Sequence, residues 1–124
     1  MLNAGFAAAS VLALATFAVH TFVGGIYVVR PLLAVEGLTR ASRWLNYYCW
    51  HMTTLTLIVM AAMFAYAAWE PAGRGFGVLF TVMAAAFSVL CIAVALKGSV
   101  RPHRFPPTSL FAAVAAAGLW GLSI

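Results

Sequence analysis

The sequence has very little charge, and almost none of it is negative. Of its 124 residues only two are acidic, Glu36 and Glu70, and charged residues make up 7% of the chain. Soluble domains carry about a quarter charged residues, so this composition cannot cover a surface that faces water. The missing acids also exclude a Ser-His-Asp set and catalysis by paired carboxylates inside the fold.

Cysteine is scarce as well. The chain has only Cys49 and Cys91, and it has no CxxC pair. This removes the commonest zinc-binding and redox spacings. Both cysteines are therefore predicted to be small core residues, since buried thiols usually serve as small apolar groups.

What the chain has in abundance is apolar sequence. It is 65% hydrophobic, with a mean hydropathy of +1.04. A membrane crossing needs about 20 apolar helical residues, and four runs reach or approach that length: 6–29, 44–69, 76–96 and 108–124. Short loops favour a bundle in which consecutive helices are antiparallel neighbours. The sequence predicts one all-α domain over 1–124, an up-down bundle of four transmembrane helices.

The basic residues predict the orientation of this bundle. Six of the seven fall in the first and third loops: Arg30, Arg40, Arg43, Lys97, Arg101 and Arg104. Positively charged loops stay in the cytoplasm, so both termini are predicted on the periplasmic or outer side of a bacterial inner membrane. We expect the six side chains to meet anionic lipid headgroups. No nucleic-acid motif is present, so nucleic acid is not an expected partner.

Two histidines lie inside the predicted spans. His20 comes ten residues before Arg30 and His51 comes eight residues after Arg43, which places them about 15 and 12 Å along their helices. The first two helices are antiparallel, so the imidazoles are expected at similar depth. Ionisable side chains inside a membrane usually face the bundle interior and mark a functional site.

Polar or small residues flank both histidines at helical spacing. Thr16 and Gly24 lie four residues on either side of His20, and Tyr47 and Thr54 flank His51. We therefore predict an intramembrane pocket for a binding or accessory subunit. Its candidate ligands are haem b, a quinone or a metal ion, with His20 and His51 as the metal ligands.

The same residues allow other interpretations. His20 and His51 can simply hydrogen-bond across helices, each contact contributing about 0.6 kcal/mol. The polar residues around His20 and His51 can also line the path of a small oligomeric permease or channel.

The stretch RASRWLNYYC, residues 40–49, resembles the arginine–asparagine–glutamate motif of the MAPEG membrane enzymes, with Cys49 where those enzymes have glutamate. The resemblance implies an enzyme that acts on lipids or thiols as a third possibility.

Rows of small residues recur at intervals of four near both termini. One row is Gly5, Ala9 and Ala13, and the other is Ala113, Ala117 and Gly121. Such rows let helices approach closely. They predict either tight packing within one chain or association into a homo-oligomer or a larger membrane complex.

Overall fold

The computed structural model describes all residues, 1–124, and the chain is helical with no β-strand. Four long helices follow one another: α1 Ala4–Ala34, α2 Arg40–Trp69, α3 Arg74–Lys97 and α4 Pro106–Ser123. Single 3-10 turns at Pro71–Gly73 and Pro102–Arg104 precede α3 and α4. The prediction of an all-α protein is confirmed.

Three of these helices are long and apolar enough to cross a membrane. They are α1, α2, and α3 with the 3-10 turn before it. This is consistent with the predicted integral membrane protein. The shorter α4 has 18 residues and is not among them, since it opens on Pro106 and Pro107 and carries further polar residues in its first turn.

The first two helices extend beyond their apolar runs toward the basic loop. α1 continues past the predicted end at Val29 to Ala34, and α2 begins at Arg40. Thr39 caps α2, because its hydroxyl oxygen accepts the Ser42 N–H at 3.1 Å. Helix formation depends on such backbone partners as well as on apolar side chains, so hydropathy alone ended α1 too early and began α2 too late.

The second half of α1, which is predicted to lie toward the cytoplasm, departs from regular α geometry. Two π-helical turns, Val19–Val23 and Gly25–Val29, flank Gly24. There the Gly24 N–H donates to the Val19 carbonyl and the Arg30 N–H donates to that of Gly25, five residues earlier in each case. Isolated π turns are rare in proteins, and those that do occur are often found at functional sites.

The helices pack tightly at the end that holds the chain termini. α1 contacts α2 and α4, and α3 contacts the same two helices. The core there includes Phe6, Ala9, Ala13, Leu57, Met60, Phe64, Phe80, Ala84, Phe111 and Val114. Phe111 and Val114 belong to α4. The others come from the first halves of α1 and α3 and the second half of α2, so the opposite ends of those three helices lie outside the core.

Close backbone contact and one side chain fix this packed end. Asn3 donates its N–H to the Ala68 carbonyl and its Nδ2 to the Gly121 carbonyl, both at 2.8 Å. A Cβ on Gly5 would overlap the Gly121 backbone. Ala9 and Ala13 are also buried. The first row of small residues therefore packs within one chain.

Candidate functional site

His20 of α1 packs against Trp50 of α2. Trp50 joins the two helices at the end of the molecule that carries the basic loops. The imidazole stacks on the indole with ring centroids 3.9 Å apart and planes 17° apart. Its Nε2 lies 3.2 Å from the Trp50 carbonyl oxygen. A carbonyl can only accept, so Nε2 carries the hydrogen and donates. His20 thus has an interhelical hydrogen-bonding role, with a backbone carbonyl as its partner.

Gly24 completes the seat for the Trp50 ring. A Cβ at this position would lie 2.5 Å from Cη2 of Trp50. Only glycine lets the indole approach the α1 backbone so closely. Gly24 lies between the two π turns and one turn beyond His20, so α1 contacts the indole at both positions. We call His20, Gly24 and Trp50 the tryptophan seat.

Three threonine hydroxyls near this seat are satisfied within their own helices. Thr54 donates to the Trp50 carbonyl at 3.3 Å, Thr16 to Leu12 at 2.8 Å and Thr53 to Cys49 at 3.4 Å. They do not cross-link helices. Besides its backbone helix bond, the carbonyl of Trp50 therefore has two side-chain partners, the Thr54 hydroxyl and His20 of α1.

A groove opens beside the tryptophan seat, at the end of the molecule that carries the basic loops. Its volume is about 740 Å³, and most of its lining is apolar. The lining comes from all four helices: Thr16, Val19, His20, Val23, Gly24, Tyr27, Val28, Trp50, Thr53, Leu57, Phe87, Leu90, Cys91, Val94, Phe105, Pro106, Pro107, Leu110 and Phe111. The groove lies where the helix ends extend beyond the packed core.

The structure brings only some of the predicted site residues together. Thr16, His20 and Gly24 line the groove, whereas Tyr47, His51 and Thr54 do not. The six predicted headgroup contacts lie in or beside the two basic loops, and all but Arg43 are exposed. Arg43 is partly buried and donates from Nη2 to the Val35 carbonyl at 2.8 Å, which ties the first loop together.

His51 lies on the outer side of α2. Its ring meets Tyr47 edge to face, with centroids 4.5 Å apart, and the residue is exposed. Successive residues of an α-helix point about 100° apart. Because Trp50 faces α1, the next residue must face elsewhere. Depth along the helix was predicted from the sequence, but the direction around the helix axis was not, and it leaves His51 outside the groove that His20 lines.

Trp50 is the site residue that sequence reasoning missed. Its place among Trp44, Tyr47 and Tyr48 is typical of the aromatic belt that lies at a membrane interface. A second signal was present, because Trp50 precedes the buried Leu57 and Phe64 at steps of seven. That spacing returns to the same helix face, so it indicated that Trp50 faces the other helices.

No group of three or more His, Cys, Asp or Glu side chains comes together in the chain. Comparison with protein-family models, curated proteins and solved structures found no match to this chain. The site is therefore interpreted from its own geometry.

The adjacent glycines allow a matched test of the tryptophan seat. Gly24→Val should displace the Trp50 ring, whereas Gly25→Val should not, since a Cβ at Gly25 meets nothing within 4 Å. Crowding of this kind costs about 1–3 kcal/mol. We expect a lower unfolding midpoint in SDS and weaker near-ultraviolet circular dichroism for Gly24→Val alone. Equal effects of the two changes would contradict the seat.

Proposed function

We propose that the chain is a small integral membrane binding subunit whose groove holds a lipophilic, ring-bearing ligand, and that this ligand is a quinone. The groove beside the tryptophan seat is the observation that supports this. Ligand pockets typically have volumes of about 300–1,000 Å³ and are mostly apolar with a few convergent polar groups. This groove has that size and that kind of lining.

The lining suits a flat ring with an apolar tail. Phe87, Phe105 and Phe111 contribute aromatic surface, and His20 and Trp50 contribute the polar atoms nearest the α1–α2 contact. Aromatic rings pair favourably in stacked or edge-to-face arrangements. The packed core closes the other end of the molecule, which favours binding over passage of a solute through the chain.

Haem b and a metal ion fit these residues less well than a quinone does. A haem held by both histidines needs an imidazole on each face of one plate, and His51 lies outside the groove. His20 and Cys91 are the only histidine and cysteine in the lining. Zinc sites use about three or four protein ligands, so this pair is too small a set.

We further propose that α4 is the fourth transmembrane crossing of an up-down bundle in a bacterial inner membrane. On this view the basic loops face the cytoplasm and contact anionic headgroups, and both termini lie outside. The outward position of His51 supports association with a second copy or another subunit, because ionisable side chains at membrane depth almost always face protein or water.

The quinone assignment is tested by filling the groove. Leu90→Trp should lower the affinity for trimethylbenzoquinone at least about tenfold, because the indole occupies ligand space. Val89→Trp is the control, since Val89 is exposed and does not line the groove. Equilibrium dialysis of the detergent-solubilised chain measures both affinities.

Equal affinity of the two variants for the quinone would contradict the proposed site. A Soret band in the purified chain that disappears in both His20→Ala and His51→Ala would replace the quinone with haem.

Reporter fusions test the proposed topology. Alkaline phosphatase fused after Ile124 should be active, because the C-terminus is expected outside the cytoplasm. Green fluorescent protein fused after Gly98 should fluoresce, because the third loop is expected inside. If α4 does not cross the membrane, the two positions will report the same side.

A further inference from the structure

His20 is the only imidazole in the groove, and its backbone partner determines which atom it offers to a ligand. Nε2 donates to the Trp50 carbonyl at 3.2 Å. The groove lining contains no acidic side chain that could pair with an imidazolium, and an unpaired charge at membrane depth is costly. The imidazole is therefore neutral, and its other nitrogen, Nδ1, is a hydrogen-bond acceptor.

The other groups that hold this arrangement are also engaged. Thr54 supplies the second side-chain hydrogen bond to the Trp50 carbonyl, and the stacked indole fixes the plane of the imidazole. The other tautomer would place a bare Nε2 against the carbonyl, and turning the ring over would place Cε1 there, so either change would lose this bond. Nδ1 therefore remains the acceptor while the tryptophan seat is intact.

An acceptor at this position distinguishes the two oxidation states of a quinone. The oxidised form has two carbonyl oxygens, which only accept hydrogen bonds, whereas the reduced quinol has two hydroxyl groups that donate. A carbonyl placed against Nδ1 leaves both acceptors without a hydrogen. The Trp50 indole N–H can donate to either form, so it does not discriminate between them.

We propose that the groove binds the reduced quinol in preference to the quinone, with a ligand hydroxyl donating to Nδ1 of His20. This inference rests on the proposed function, since it names the form of ligand that the same groove takes. A buried acceptor left without a donor lowers affinity by about tenfold.

The experiment compares three probes of nearly the same shape: trimethylhydroquinone, trimethylbenzoquinone and the dimethyl ether of the hydroquinone. Anaerobic equilibrium dialysis against the full chain in detergent gives each affinity. His20→Phe keeps a flat ring to stack on Trp50 but removes both nitrogens. His51→Phe is the matched control outside the groove. Elution volume and helical circular dichroism check that each variant is folded.

We expect the unmodified chain to bind the hydroquinone about tenfold more tightly than the other two probes. His20→Phe should abolish that difference, and His51→Phe should retain it. Equal affinity of the unmodified chain for the hydroquinone and its ether would overturn this inference while leaving the groove as a quinone site.

A preference that survives in a folded His20→Phe would overturn the assignment to Nδ1. Failure of all three probes to bind would overturn the proposed quinone function as well. If His20→Phe does not fold, the comparison of hydroquinone with its ether in the unmodified chain still decides the question.

Discussion

The contact of the Trp50 ring with α1 is the interaction on which the groove end of the molecule depends. Beyond the buried core residues Ala13 and Leu57, the seat joins α1 to α2 by one aromatic stack and one interhelical hydrogen bond. Such contacts contribute about 0.5–1.5 and about 0.6 kcal/mol respectively. This free energy is enough to orient the two side chains. It is also small, so a ligand that fills the groove would add substantially to the stability of this end.

The two ends of the molecule differ in how their helices are held together. Near the termini, the approach of Gly5 to Gly121 and the hydrogen bonds of Asn3 hold α1, α2 and α4 together. Toward the basic loops, π turns and Gly24 replace regular packing. The packed end holds the four helices together, and the less tightly packed end leaves the space that forms the groove.

Composition alone predicted an all-helical chain with membrane-spanning segments, because a chain with so few charges cannot face water. The depth of His20 followed from counting residues to Arg30. The side-chain directions followed only in part. On α1, Thr16, His20 and Gly24 line the groove together, although two π turns change the helical spacing there. On α2, His51 was predicted to face the other helices, but Trp50, one residue earlier and about 100° around the helix axis, faces α1 instead.

The central claim is tested most directly by nuclear magnetic resonance of the chain labelled in its histidine nitrogens. The account predicts that His20 occurs as the Nε2–H tautomer, with ring protons shifted upfield by the Trp50 indole, and that Trp50→Leu removes the shift. His51 should show neither feature. An equal mixture of tautomers for His20, or ring protons that Trp50→Leu leaves unchanged, would contradict the tryptophan seat.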